Sequence, residues 1–113
     1  MSETGPDRSR ALRRARDLID ADCGRQLDVI TLARAATMSR AHFSREFRLE
    51  FGVSPHRYVI ERRLERAALL LRTTDDPIGD ICRAVGLHSV GSFTTSFGRA
   101  YGLSPAAYRS AQR

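Results

Sequence analysis

The chain has 113 residues, 42% of them hydrophobic, which allows one small domain or two very small ones and excludes a deep enclosed pocket. All 19 basic residues are arginines, and against 13 acidic residues they give a net charge of +6. A chain this basic usually binds nucleic acid or an anionic surface, although charge alone also allows a basic protein with no such partner.

The first predicted element is an amphipathic helix that begins near Asp7. Gly24 stands where the C-terminal cap of this helix would lie. Acidic residues among its arginines argue against a helix that binds a membrane surface, so we expect it to pack on the unit that follows. Its apolar stripe consists of Leu12, Ala15, Leu18 and Ile19.

Two helices separated by a tight turn follow, and together they predict a helix-turn-helix. The first runs from about Asp28 to Ala36, the turn is Thr37-Met38, and Ser39 caps the second helix. The residues predicted to face inward are Ile30, Leu32, Ala33 and Ala36 in the first helix, and Phe43, Phe47 and Phe51 in the second. Three arginines lie on the other face of the second helix: Arg40, Arg45 and Arg48. For any single arginine, a solvated charged face is the alternative to contact with a ligand.

A long helix from Ser54 to about residue 72 forms the centre of the chain. Ser54 is a good N-cap, and Pro55 suits the first helical position because its missing N–H is not needed there. Its apolar positions recur at helical spacing: Tyr58, Leu64, Ala67, Ala68 and Leu71. Its basic side carries Arg57, Arg62, Arg63 and Arg66.

A second short helix, turn and longer helix come after the central helix. We expect Asp76 to cap a helix that starts at Pro77 and runs through Val85, with Gly86-Leu87 as its turn. The next helix spans Ser89 to Tyr101 and ends at Gly102. Its inward residues are predicted to be Phe93, Phe97 and Tyr101, and a last helix after Ser104-Pro105 is predicted to bury Tyr108.

The two units are copies of one pattern. Six residues of Ser39–Val59 recur 50 positions later in Ser89–Arg109; they are Phe43, Phe47, Gly52, Ser54, Pro55 and Tyr58. Upstream the offset is 49, so that Ala33 matches Cys82 and the second copy carries one extra residue at its turn. An internal duplication on either side of one helix predicts an all-α fold, with two helix-turn-helix subdomains joined by a long central helix. The predicted parts are residues 1–53, 54–72 and 73–113.

Several kinds of site and location are not expected. Cys23 and Cys82 are far apart, which favours buried, reduced thiols over a disulfide or a reactive pair. The histidines have no ligand spacing with each other or with the cysteines, so neither a metal nor another cofactor is expected. The N-terminus lacks the apolar core of a signal peptide, and no apolar run is long enough to cross a membrane, so we expect a cytoplasmic protein. The Met1 start favours a small stand-alone protein, although a fragment of a longer one would look the same.

The excess positive charge lies in the repeats and the helix between them. Residues 39–72 carry a net +4 and residues 86–113 a net +3, whereas residues 73–85 carry −2. In a helix-turn-helix that binds DNA, the second helix is the recognition helix, which enters the major groove. The central helix of roughly 17 residues is about 25 Å long. With the turns at its ends, it would place the two recognition helices about one DNA turn, ~34 Å, apart. The sequence therefore predicts that one chain reads two adjacent major-groove segments without dimerising, at a site that is not palindromic.

The repeated pattern resembles the AraC/XylS family of transcription regulators, from about Leu12 to Arg109. In the first unit and the central helix, the matching residues are Leu32, Ala33, Ser39, Arg40, His42, Phe43, Ser44, Arg45, Phe47, Gly52, Ser54, Pro55, Tyr58, Arg63, Leu64, Ala67, Leu70 and Leu71. In the second unit they are Ile81, Gly86, Leu87, Ser92, Phe93, Phe97, Gly102, Ser104, Pro105, Tyr108 and Arg109. The resemblance implies two helix-turn-helix units that bind double-stranded DNA as a monomeric domain, often attached to an effector-binding domain.

The resemblance also implies residue roles. The residues at base-reading positions are Ala41, Ser44, Arg45, Gly91, Ser92 and Thr95. Those at backbone-contacting positions are Ser39, Arg40, Arg48, Val90, Thr94 and Arg99. The chain departs from the family at three places: Thr95 stands where Arg is frequent, Gly98 where Lys is frequent, and Thr37 where a turn Gly is frequent. The first two departures favour backbone contact by the second unit, and the third predicts a strained or altered first turn.

Two other classes of function stay open beside DNA-binding transcription control. A helical interaction module could contact RNA polymerase or another regulator and bind DNA weakly, which the sparse second recognition helix would suit. An enzyme is the least favoured class, because no nucleophile or carboxylate pair has a partner at usable spacing.

Overall fold

The part of the chain that the structure describes contains seven helices and no β-strand. It is a computed structural model that describes residues 6–22, 24 and 27–113. The helices are α1 Pro6–Ala21, α2 Val29–Ala35, α3 Arg40–Phe51, α4 Pro55–Thr73, α5 Ile78–Ala84, α6 Val90–Tyr101 and α7 Pro105–Gln112. The all-α prediction is therefore confirmed.

The chain divides into two compact units, Met1–Ile60 and Glu61–Arg113, and α4 contributes residues to both. Each unit contains one helix-turn-helix, α2–α3 in the first and α5–α6 in the second. The three-part division at residues 53 and 72 stays a prediction.

The core of the first unit forms where α1, α2 and α3 meet. The buried residues are Ala11, Leu12, Ala15, Ile19, Leu32, Ala33, Ala36, Phe43, Phe47 and Val59. The Phe47 ring lies at the centre of an aromatic group, with ring centroids 4.6 Å from Phe51 and 5.7 Å from Tyr58. The Tyr58 hydroxyl also donates a 2.8 Å hydrogen bond to Oδ1 of Asp20 on α1, which joins the start of α4 to this unit.

Two inward predictions in the first unit are wrong, because the buried stripes are narrower than the apolar patterns. Leu18 is 44% exposed and Ile30 is 48% exposed. Leu18 lies about 100° from Ile19 around α1, at the edge of the buried stripe. Ile30 lies roughly 200° from Leu32 around α2, so the two side chains cannot face the same neighbour.

Serine N-caps start most of the helices, as predicted. The hydroxyl oxygens of Ser39, Ser54, Ser89 and Ser104 each accept a hydrogen bond from the backbone N–H three residues on. Asp28 does the same for α2, accepting from Thr31 at 2.8 Å, and this hydrogen bond holds the pKa of the Asp28 carboxyl below its usual value. These bonds satisfy backbone donors that an α-helix cannot pair internally.

Two predicted caps are wrong. Pro77 occupies the N-cap position of α5 and makes no side-chain cap, so Asp76 lies one residue too early to reach the first free amides. Instead the Asp76 N–H donates to the Thr74 hydroxyl at 3.3 Å. At the other end of the chain, α1 ends at Ala21, so Gly24 lies beyond its C-cap position.

The two turns have the same hydrogen bonds, which locates the extra residue of the second copy. Met38 N–H donates to the Ala33 carbonyl, and Leu87 N–H donates to the Cys82 carbonyl, both at 2.9 Å. The extra residue therefore follows the turn and is His88. Thr37 has φ 54°, in the same left-handed region as Gly86 with φ 85°. Of the two outcomes predicted for the first turn, the altered φ is therefore wrong, and the strained conformation holds because a β-branched residue rarely adopts a positive φ.

The second unit buries a parallel set of residues and closes the end of α4 with arginines from α7. Its buried residues include Leu64, Ala67, Ala68, Leu71, Ile81, Cys82, Val85, Phe93 and Phe97. Arg109 donates from Nε to the Leu71 carbonyl at 3.2 Å and from Nη2 to the Thr74 carbonyl at 3.1 Å. Arg113 also donates to the Thr74 carbonyl. Carbonyls at a helix C-terminus have no partner within the helix, so these guanidiniums stabilise the last turn of α4.

Cys82 is a free, buried thiol with an exposed fraction of 1%, which confirms its predicted burial. Its sulfur lies 3.1 Å from the Leu87 carbonyl, and burial raises the pKa of the thiol. The corresponding prediction for Cys23 falls outside the described residues.

Cys82 should therefore react slowly with thiol reagents in the native protein, because both access and thiolate formation are suppressed. The measurement is labelling at pH 8 in a Cys23→Ser background, with and without urea. The matched control, in the same Cys23→Ser background, combines Cys82→Ala with Ala84→Cys. Its one cysteine then lies at an exposed position, two residues further along the same helix. Labelling of Cys82 as fast as that of the control would contradict burial.

Candidate nucleic-acid interface

The second helix of each helix-turn-helix, α3 or α6, has one buried face and one exposed face. Phe43 and Phe47 anchor α3, and Phe93 and Phe97 anchor α6, each with an exposed fraction of 1% or less. Helical periodicity places the intervening residues on the opposite side. Each helix is thus anchored by buried phenylalanines while its other face remains accessible.

The predicted contact residues lie on these accessible faces. In the first unit, five of them are exposed, and Ser44 is half-buried. Ala41, Ser44, Arg45 and Arg48 follow the i, i+3, i+4, i+7 spacing that places side chains on one face of a helix. All six in the second unit are exposed: Val90, Gly91, Ser92, Thr94, Thr95 and Arg99. The structure therefore brings together each set of six within its own unit.

The start of each recognition helix can donate hydrogen bonds to an anion. Ser39 and Ser89 use a hydroxyl oxygen as the acceptor for a helix amide, so their O–H groups remain free to donate. Val90 has an apolar side chain that is 47% exposed, so its predicted backbone contact would have to use its main-chain N–H. Phosphate oxygens are suitable acceptors for these donors because a helix N-terminus carries a partial positive charge.

The accessible face of α3 is cationic. The Arg45 side chain is 66% exposed, and its Nε lies 3.8 Å from Oε2 of Glu46. Within the described part of the chain, the side chains of Arg48 and Arg99 have no ion pair or hydrogen bond with another residue. Exposed guanidiniums of this kind can bind guanine edges or phosphates through their two-pronged geometry.

The accessible face of α6 is uncharged except at Arg99, and it is lined with small residues. A Cβ atom added at Gly98 would have no neighbour within 4 Å, and one added at Gly91 would meet only the Ser89 hydroxyl, at 3.7 Å. Packing inside the protein therefore does not require either glycine. Glycine within a helix costs up to about 1 kcal/mol of stability relative to alanine. Because glycine has no side chain, these two positions leave room for close approach of another molecule.

Sequence reasoning missed two residues next to this interface, Arg8 and Glu46. Arg8 on α1 contacts Glu46 and Glu50 on α3, 38 and 42 residues away in sequence. Spacing along the chain gives no register between α1 and α3, so the sequence did not indicate Arg8 as the partner of these glutamates. The two glutamates are one turn apart on α3, which is the only local sign that they share a partner.

No group of three or more His, Cys, Asp or Glu side chains is placed to hold a metal ion among residues 6–22, 24 and 27–113. Over those residues, no helix is both long enough and apolar enough to span a membrane.

Comparison with known proteins identifies the pattern. A family model described as a helix-turn-helix domain matches residues 32–111, a range that includes parts of both units. The chain is 41% identical over 78 residues to "HTH-type transcriptional regulator MtrA" of Neisseria gonorrhoeae, covering 69% of this chain. The chain spans only 26% of the length of that relative.

Solved structures share the same fold. The DNA-binding domain of the transcriptional factor AdpA, solved in complex with a target DNA, matches with a TM-score of 0.87 and 36% identity, covering 91% of this chain and 93% of that one. An AraC-type DNA-binding-domain regulator from Chromobacterium violaceum matches with a TM-score of 0.85 and 28% identity, covering 92% and 93%. Both likenesses extend over nearly the whole of each chain.

Proposed function

This chain belongs to the AraC-type family of helix-turn-helix proteins, and from that premise we propose that it binds double-stranded DNA sequence-specifically as part of a transcription regulator. The observation that carries the proposal is the duplicated recognition helix: α3 and α6 each bury a phenylalanine pair and expose the opposite face. Such a helix fits the major groove of B-DNA. The similarity to a domain solved on its target DNA supports the same proposal.

The two recognition helices make different kinds of contact with DNA. Arg45 reads a base, because a guanidinium can form two hydrogen bonds with guanine O6 and N7, and Ala41 contacts a thymine methyl group. Arg40 and Arg48 contact phosphates and set the register of the domain. On α6 the hydroxyls of Ser92, Thr94 and Thr95 mainly contact the sugar-phosphate backbone, with Gly91 allowing close approach and Arg99 neutralising a phosphate. Because both helices belong to one chain, the domain binds two adjacent major-groove segments as a monomer.

We infer that the domain is non-catalytic and acts in the cytoplasm. A protein-interaction module that contacts RNA polymerase is the second candidate, favoured by the absence of a cation at Thr95 and Gly98 on α6. Selection of bound duplexes from a random pool separates the two. A DNA-reading domain enriches one motif spanning about two turns of DNA, whereas an interaction module enriches none.

DNA binding should weaken steeply with salt. If about six to eight phosphates are neutralised, log K should fall with log[salt] at a slope of about −5 to −7, because each neutralised phosphate releases condensed counterions. The estimate is motivated by the net +4 of residues 39–72 and the net +3 of residues 86–113. The measurement is fluorescence anisotropy with a labelled duplex across a salt series.

The control for the salt series is Arg48→Ala, which removes one expected phosphate contact. The slope should become shallower by about 1 while sequence preference is unchanged. A wild-type slope near zero would contradict binding to the DNA backbone.

A further inference from the structure

An arginine on α1 holds two carboxylates of the recognition helix α3. Arg8 Nη1 lies 3.2 Å from Oε1 of Glu46, and Arg8 Nη2 donates a 3.1 Å hydrogen bond to Oε1 of Glu50. All three side chains are largely buried, with exposed fractions of 17%, 16% and 23%. Exposed ion pairs are mobile and weak, but this shielded bridge restrains its partners.

The second oxygen of the Glu46 carboxylate faces the recognition surface. Glu46 Oε2 lies 3.8 Å from Nε of Arg45 and 3.9 Å from Nε2 of His42. Glu46 therefore has one oxygen in an ion pair with Arg8 of α1 and the other beside the arginine that precedes it in sequence. The contact uses the Nε side of the Arg45 guanidinium, which leaves donors at its outer end for a base.

We propose that Glu46 is a positioning residue for Arg45, and that Arg8 holds Glu46 in place; this rests on the proposed function. An exposed arginine has many rotamers and loses their entropy when it binds a base. A carboxylate that restrains the guanidinium before binding reduces that loss and favours the base whose acceptors match the restrained position. Thus α1, which carries none of the predicted contact residues, contributes to the specificity of α3.

The proposal is tested with the preferred duplex and a panel of its single-base variants. Glu46→Gln retains the shape of the side chain but removes its charge. It should reduce discrimination at the base pair read by Arg45 by roughly 3- to 10-fold, a fraction of what a bidentate arginine supplies. Arg8→Ala should do the same, and Arg8→Lys, which retains a cation, should restore most of the discrimination.

The matched control is Glu50→Gln. Glu50 shares the Arg8 guanidinium but has no contact with Arg45 among the described residues. This variant should leave discrimination unchanged at every position. Helicity and thermal unfolding are measured for each variant, and the near-isosteric Glu46→Gln keeps the test valid if Arg8→Ala fails to fold.

A double-mutant comparison separates positioning from a purely structural role. If Glu46 acts through Arg45, Glu46→Gln should cause no further loss of discrimination in an Arg45→Ala background. Equal weakening on all duplexes in both backgrounds would overturn the inference while leaving DNA binding intact. Wild-type protein with no preference among duplexes would overturn the proposed function, and this inference with it.

Discussion

Replacing Phe47 with alanine should lower the free energy of unfolding by about 3–5 kcal/mol, the usual cost of truncating a fully buried phenylalanine. The Phe47 ring is completely buried and lies within 5.5 Å, centroid to centroid, of Phe43, and within 4.6 Å of Phe51. Its loss leaves a cavity where α3 packs on the rest of the first unit. Small domains have only about 5–15 kcal/mol of stability in total. This variant should therefore be close to its unfolding midpoint at ambient temperature, or have an unfolding temperature well below that of the wild type.

The measurement is urea and thermal unfolding followed by far-ultraviolet circular dichroism. The matched control is Leu49→Ala, two residues along α3, where the leucine is 72% exposed. That substitution should change stability by no more than about 0.5 kcal/mol, because it creates no cavity. Comparable losses in the two variants would mean that the phenylalanine face of α3 is not the one packed in the core.

Replacing Arg45 with alanine should weaken binding to the preferred duplex by about 1–3 kcal/mol and relax specificity at one base pair. Arg45 is 66% exposed and lies on the face of α3 opposite the buried Phe43 and Phe47. The equivalent change in the second unit, Thr95→Ala, removes one hydroxyl. It should cost about 1 kcal/mol or less, spread over all sequences.

Binding of both variants to a panel of single-base site variants provides the measurement. Folding should be unaffected, because neither side chain contributes to a core, and circular dichroism checks this. The assignment of base reading to the first unit and backbone contact to the second would be wrong if Arg45→Ala weakened binding to all duplexes equally while Thr95→Ala altered base preference.

The elements that were predicted correctly depend on local rules. Ser39, Ser54, Ser89 and Ser104 cap their helices because an N-cap side chain bonds an amide at a fixed offset along the chain. Gly52 and Gly102 end α3 and α6 with φ of 82° and 77°, a conformation that favours glycine. The cap predicted at Asp76 failed because the same offset rule is sensitive to a one-residue shift in where the helix starts.

The candidate interface was predicted as two sets of residues, and its arrangement follows from helical periodicity. Once Phe43, Phe47, Phe93 and Phe97 are assigned to the core, the opposite faces of α3 and α6 must be exposed. The duplicated spacing strengthened this assignment because both copies had to satisfy it. The base and phosphate contacts of the individual residues stay predictions.

What the sequence determined by itself is therefore the helical fold, the duplicated units and the exposed faces of α3 and α6, since all of these follow from spacing within one helix or turn. Only the tertiary structure decided which side chains meet across helices. Arg8 reaches Glu46 and Glu50 of α3, and Arg109 reaches the last carbonyls of α4, over separations of 35 to 42 residues. Periodicity shows which face of a helix is buried, but the register and width of contact between two helices depend on how whole side chains pack. That is also why Leu18, at the edge of the buried stripe of α1, remains 44% exposed.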